Sequence, residues 1–179
     1  VAEEKAELLK ALPPSGFAII NGDDETLLEV KERTKARKIS FGFDEHADVR
    51  ISNYEIRVIE KDELDYPDGI SFKIENDGNM VPVRIHGAFG KPHAYAAAAA
   101  AAVARVLNMN LVEVSRALEG YEAGPGRGRL IRGIKGSFIV DDTYNASPES
   151  MRAGLELLQK IPGRSKIADL GDMLEIGKY

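Results

Sequence analysis

Apolar positions change their spacing along this chain, and each change marks an element. Over the first ten residues Leu8 and Leu9 sit among alanines and glutamates in a helical pattern. Pro13-Pro14 must end it, because proline has no N–H for the ladder and clashes with the preceding turn. A short apolar run, Phe17 to Ile20, predicts a strand. Asn21-Gly22-Asp23-Asp24 then supplies a turn and N-caps for an amphipathic helix running to about Arg37, and Ile39 to Phe43 predicts a second strand. Helix–strand–helix–strand order suits a parallel sheet.

From residue 49 the period becomes two. Tyr54, Ile56 and Val58 alternate with polar residues, then Ile70, Phe72 and Ile74, then Val81, Val83 and Ile85. Asn76-Asp77-Gly78-Asn79 between the last two runs predicts a hairpin. Residues 49 to 86 therefore read as a small antiparallel sheet attached to the parallel one, and Pro82, which lacks an N–H to donate, predicts an edge strand. From Pro92 to Leu107 an alanine-rich helix follows, with seven consecutive alanines at 96 to 102 that allow close backbone approach, and Asn110 with Glu113 caps a second helix.

Gly124-Pro125-Gly126-Arg127-Gly128-Arg129 breaks regular structure and predicts a domain boundary, with residues 1–124 on one side and 125–179 on the other. Past it, Phe138 to Val140 predicts a strand. Pro148 to Ile161 predicts a helix with Ser147 as N-cap and Pro148 at its first position, and Ile167 to Leu170 predicts another strand. The fold class is thus α/β: a parallel sheet with helices and a small antiparallel sheet, followed by the start of a second α/β domain.

Composition narrows the functional classes. At 179 residues and 44% hydrophobic content the chain can bury a core, while 24 basic against 29 acidic residues give a net charge of −5 and no overall field to hold a nucleic acid. There is no cysteine, so disulfides and thiolate metal sites are excluded and a reducing, cytoplasmic setting is favoured. No segment approaches the roughly 20 consecutive apolar residues of a membrane span. The opening Val1-Ala2-Glu3-Glu4-Lys5, without an initiating Met, reads as the start of an excised piece, and a monomer is expected.

The densest chemistry lies at Asp141-Asp142-Thr143-Tyr144-Asn145-Ala146-Ser147-Pro148, where a strand delivers two carboxylates, a hydroxyl, a phenol and an amide to a loop before a helix N-terminus. Ligands of open α/β sheets bind at the carboxyl ends of strands, and a helix N-terminus favours an anion. An Asx turn with a helix cap is the plainer alternative, and it does not require all of these groups together. Arg127-Gly128-Arg129 pairs guanidinium groups with glycines that permit close approach to a phosphate or carboxylate; on sequence physics alone a solvated basic turn is the better explanation, because short Gly/Arg turns are common and weakly specific. His93 and Tyr95 open the alanine helix, and a capping or surface histidine is the default there. His46 and His86 are too scattered for a metal triad. The loop Leu170-Gly171-Asp172-Met173-Leu174-Glu175-Ile176-Gly177 again puts acids past a strand end, where a plain strand-to-helix connection capped by Asp172 explains them as well as a ligand contact does. No glycine-rich loop ending in Lys-Ser or Lys-Thr occurs, so this chain by itself is not expected to hydrolyse ATP.

The run from Asp141 to Pro148, with Ser150-Met151 and the loop from Leu170 to Gly177, closely resembles the signature loops of the Mur ligase family, in particular its MurF members. Arg127-Gly128-Arg129-Leu130 stands where that family keeps an interdomain arginine, and Asn21-Gly22-Asp23-Asp24 agrees with it as well. The resemblance implies the later part of a three-domain enzyme's central ATPase domain and the beginning of its Rossmann-like C-terminal domain. It further implies an ATP-dependent ligase that phosphorylates the terminal carboxylate of UDP-MurNAc-tripeptide and joins D-Ala-D-Ala to it in peptidoglycan synthesis, with Mg2+ neutralising the phosphates. By the same resemblance Asp142 contacts the nucleotide ribose, Asn145 lies near nucleotide or substrate, Arg129 reaches ATP, and Lys5 is the lysine that, when carbamylated, binds a second magnesium. Where the family shows His-Asn-x-x-Asn towards adenine, this chain has Pro92-His93-Ala94-Tyr95-Ala96: His93 can stand for the first asparagine, and Ala96 has no group to replace the second. A sibling Mur ligase, a folylpolyglutamate synthase-like ligase and a non-catalytic binding module are the alternatives.

Overall fold

The computed structural model describes residues 2–61 and 64–174, with side chains described for residues 6–29, 31–60 and 65–174. The element order is α1 (Ala2–Ala11), β1 (Phe17–Asn21), α2 (Glu25–Val30), β2 (Arg37–Gly42), β3 (Val49–Lys61), β4 (Leu64–Asn76), β5 (Asn79–His86), α3 (Lys91–Val106), α4 (Leu111–Leu118), β6 (Arg129–Arg132), β7 (Phe138–Asp141) and α5 (Pro148–Lys160). Strands β1 to β5 lie in chain order in one five-stranded sheet, and β6 and β7 form a separate two-stranded sheet. By backbone proximity the chain divides into two compact units. One holds residues 2–54, 72–83 and 94–119, the other 55–71, 84–93 and 120–174.

The first unit contains the parallel pairs. β1 and β2 run parallel from Phe17 opposite Arg37 to Asn21 opposite Phe41. β2 and β3 are also parallel, but over two rungs only, Phe41 with Val49 and Gly42 with Arg50. That stagger lets a six-residue loop, 43–48, join parallel strands that would otherwise need a long crossover. The loop is held from below by the Asp23 carboxylate, which accepts from the Phe43 N–H (2.6 Å), the Asp44 N–H (2.9 Å) and the Tyr95 hydroxyl (2.7 Å). Asp24 caps α2 by accepting from the Leu27 N–H. The predicted helix to Arg37 ends earlier, at Val30, with a 3-10 turn over Lys31–Arg33, because Arg37 is taken into β2 opposite Phe17.

The region read as an attached antiparallel sheet continues the same five-stranded sheet. Asp77 and Gly78 have φ of 49° and 76°, the doubly left-handed turn that matches strand twist and reverses the chain between β4 and β5. β5 is an edge strand, as Pro82 requires, and its residues alternate buried and exposed from Val81 to His86. On β3 the expected alternation is weaker: Ile51 is buried, while Val58 is 42% exposed. Asn53, with φ of 51° in mid-strand, breaks the two-residue period.

Helix α3 buries Ala94, Ala97, Ala98, Ala101 and Ala102, spaced three and four apart on one face. Its start and end are both tied: Tyr95 to Asp23, and Arg105 to Asp48 (3.5 Å) and Asp77 (2.9 Å). In the second unit β6 pairs antiparallel with β7, Arg129 opposite Asp141 through Arg132 opposite Phe138. Helix α5 starts as expected, with Ser147 as N-cap and Pro148 following, though the reciprocal partner of the cap is Ser150 rather than a glutamate. The strand expected at Ile167 to Leu170 is not formed; these residues are irregular and Ile167 is 84% exposed, since among the described residues no strand pairs with them. Glu175, Ile176 and Gly177 lie outside the described residues. Among the described residues no helix is long and apolar enough to cross a membrane.

Candidate functional site

Three chain segments of the second unit meet around the glycine–arginine loop. Gly126 and Gly128 are buried and Arg127 and Arg129 are exposed, so the alternation turns both guanidinium groups outward. Both glycines are left-handed, with φ of 70° and 65°. A Cβ at Gly126 would lie 2.7 Å from the Tyr144 nitrogen, and one at Gly128 would lie 2.3 Å from the Phe89 carbonyl oxygen. Only glycine combines that conformation with that proximity. On one side the Phe89 N–H donates to Gly128 O (2.9 Å) and Leu130 N–H to Gly87 O (2.8 Å); on the other the Tyr144 N–H donates to Gly126 O (3.1 Å).

His93, at the start of α3, is buried beneath this loop. Its Nε2 lies 2.8 Å from the Arg127 carbonyl oxygen and its Nδ1 2.8 Å from the Tyr121 hydroxyl. A carbonyl only accepts, so Nε2 carries the proton and Nδ1 accepts from Tyr121. Burial lowers the imidazole pKa below the ordinary histidine value, opposed by the Arg127 carbonyl and by the negative charge of Asp142. The side chain expected to face a nucleotide thus has both ring nitrogens engaged within the protein. Tyr121, its partner, carried no signal in the sequence.

Asp141, which ends β7, and Asp142, which follows it, have separate environments. Asp141 accepts from the Gly126 N–H (2.9 Å), the Thr143 hydroxyl (2.7 Å) and the Thr143 N–H (3.3 Å). The Thr143 hydroxyl first, then the Gly126 amide, hold its carboxyl below the usual range, with Arg129 across the ladder adding least. Asp142 is exposed and makes no hydrogen bond or ion pair with the described residues. Asn145 folds its Oδ1 back onto the Ala146 N–H (2.9 Å), which leaves its Nδ2 without a partner among them. Tyr144 is 68% exposed, and the Arg127 guanidinium lies 3.8 Å from its ring centroid.

The structure therefore brings together His93, Arg129, Asp142 and Asn145, all within one unit, and it presents an unpaired carboxylate, an amide and two arginines at a strand end ahead of the capped α5. Such a set offers acceptors to sugar hydroxyls and cations to an anionic group. Lys5 belongs to α1 in the other unit, and its side chain lies outside the described residues. Asp172 is exposed on irregular chain. Among the described residues no three His, Asp or Glu side chains cluster to hold a metal ion.

Residues 1–104 match the family model for the Mur ligase middle domain. Over 100% of its length the chain is 31% identical to a UDP-N-acetylmuramoyl-tripeptide--D-alanyl-D-alanine ligase of Synechocystis, covering 35% of that protein. Over 99% of its length it is 34% identical to the protein of the same name from Mycobacterium tuberculosis, covering 34% of it. The chain spans about a third of the length of these curated relatives. Among solved structures it is similar to MurF from Acinetobacter baumannii, with a TM-score of 0.72 and 28% identity over 90% of this chain and 33% of that one. It is likewise similar to MurF ligase from Thermotoga maritima in complex with ADP, with a TM-score of 0.73 and 27% identity over 90% of this chain and 34% of that one. With more than half of its residues matched by that model and its whole length similar to MurF proteins, the chain belongs to the Mur ligase family.

Proposed function

We propose that this chain serves as part of a MurF-type ligase, which joins D-Ala-D-Ala to UDP-MurNAc-tripeptide at the expense of ATP in peptidoglycan synthesis. In this reading residues 1–124 belong to the central domain and 125–179 begin the C-terminal one, and the enzyme works as a cytoplasmic monomer. The observation that carries the reading is the unpaired Asp142 carboxylate beside outward-facing Arg127 and Arg129, on a loop pair fastened by backbone hydrogen bonds. A carboxylate with no partner among the described residues is set to accept from the two hydroxyls of a ribose. Arg129 supplies a fixed positive charge for a phosphate or acyl phosphate, and the free Nδ2 of Asn145 supplies a donor. His93 acts from behind, its Nε2–H holding the Arg127 carbonyl and so the course of the arginine loop. The names of the relatives and the ADP complex of a similar MurF support the substrate and nucleotide classes.

Magnesium would supply charge neutralisation of the phosphates when bound. The described residues offer no cluster of three ligands for it, and a carbamylated Lys5 is the one ligand proposed from this chain.

Kinetics of Asp142→Ala in the full-length protein test the site. Loss of a charge-assisted hydrogen bond, about 1.5–3 kcal/mol, corresponds to a rise in the KM for ATP of about ten- to a hundredfold. Circular dichroism should be unchanged, because the side chain makes no internal hydrogen bond or ion pair with the described residues. An unaltered KM for ATP would remove Asp142 from nucleotide binding.

A further inference from the structure

Two adjacent carboxylates at one strand end have different fates, and the paired one has a task of its own. Asp141 is the side chain through which the β7–α5 connection reaches the glycine–arginine loop: one carboxylate oxygen takes the Gly126 N–H, the other takes both donors of Thr143. The reverse link is pure backbone, Tyr144 N–H to Gly126 O, so Gly126 is gripped through its N–H and its carbonyl at once. Beyond that grip, Arg127 stacks on Tyr144 and Arg129 sits opposite Asp141 in the β6–β7 ladder.

We propose that Asp141 is a positioning residue for nucleotide use: its bonds to Gly126 and Thr143 clamp the arginine loop to the loop bearing Asp142 and Asn145, and so fix the spacing between the cations and the free carboxylate. The proposal rests on the nucleotide reading of this site. Side chains that recognise one ligand from two loops bind it only when the loops keep their separation, and a misplacement of about 1 Å costs up to about a hundredfold. Asp141 touches no ligand in this scheme. Its oxygens are spent on the protein, whereas the neighbouring Asp142 has no partner among the described residues.

The clamp is tested by two measurements with three variants. In this chain, hydrogen exchange at the Gly126 and Thr143 amides reports whether Asp141 closes the loops; in the full-length protein, steady-state kinetics report whether closure serves the nucleotide. Asp141→Ala should speed exchange at both amides and raise the KM for ATP by about tenfold or more, with kcat less affected. Asp141→Asn keeps one acceptor oxygen, enough for the Gly126 N–H but not also for the Thr143 N–H, and should recover part of the KM. Unchanged exchange or an unchanged KM in Asp141→Ala overturns the proposal, as does an Asp141→Asn variant that is folded but no better than alanine. Asp142→Ala separates the two claims. If it too leaves the KM unchanged, the nucleotide reading fails, and faster exchange in Asp141→Ala then shows a clamp without that purpose.

Discussion

Replacing Gly128 with alanine probes the packing on which the site is built. At φ of 65° a residue with a Cβ pays about 1–2 kcal/mol that glycine does not. The added carbon would also sit 2.3 Å from the Phe89 carbonyl oxygen and 3.3 Å from His93 Nε2. The first of these is a backbone atom, so no side-chain rotation relieves it and the two strands of chain must part. Parting strains the Phe89 N–H to Gly128 O bond, about 1 kcal/mol, and leaves the buried His93 Nε2–H short of its acceptor, about 1–3 kcal/mol more. The expected loss is about 3–6 kcal/mol, against a total stability of about 5–15 kcal/mol for a typical domain. Urea unfolding followed by far-UV circular dichroism measures it. Gly124→Ala is the control: nothing lies within 4 Å of its Cβ position and its backbone is not left-handed, so it should stay within about 0.5 kcal/mol of the parent. A Gly128→Ala chain as stable as the control would refute the claim that close approach at this loop shapes the site.

Tyr121→Phe removes the donor to His93 Nδ1 and should cost about 1–3 kcal/mol by the same unfolding assay. Because burial depresses the His93 pKa, the unfolded state binds the proton more readily. The His93 contribution is full above about pH 6.5 and is lost as pH falls through the lower folded value, so NMR titration of the ring should show a midpoint below that of a free histidine. Gly154, inside α5 with nothing near its Cβ position, should gain about 1 kcal/mol on replacement by alanine, since only backbone entropy changes; a loss in the melt would mean that α5 is not helical there.

The local signals that proved legible were those whose cause is local. Asp77-Gly78 demanded a left-handed turn and made one, Pro82 demanded an edge and lies on one, and Ser147-Pro148 opened a helix where a cap and a donorless residue are both favourable. The strand expected at Ile167 to Leu170 failed because an apolar run forms a strand only where another strand offers its hydrogen bonds, and none of the described ones does. The same reason hid the continuity of the five-stranded sheet: two parallel rungs between β2 and β3 depend on a stagger, bridged by the six-residue loop 43–48, that no periodicity records. At the candidate site the density of polar groups was visible, but the division of labour was not. Nothing in the letters at 141 and 142 says which carboxylate is spent on Gly126 and Thr143, nor that His93 finds its partner in Tyr121, 28 residues away.

The proposed role in ATP-dependent attachment of D-Ala-D-Ala is tested most directly by a ligation assay on the full-length protein. UDP-MurNAc-tripeptide, D-Ala-D-Ala, ATP and Mg2+ are combined, and the nucleotide-linked peptide is followed by mass spectrometry alongside phosphate release. The expected result is a pentapeptide product formed in step with phosphate, lost when ATP or D-Ala-D-Ala is omitted. Phosphate release with a different amino-acid acceptor, or no ligation under any of these conditions, would contradict it.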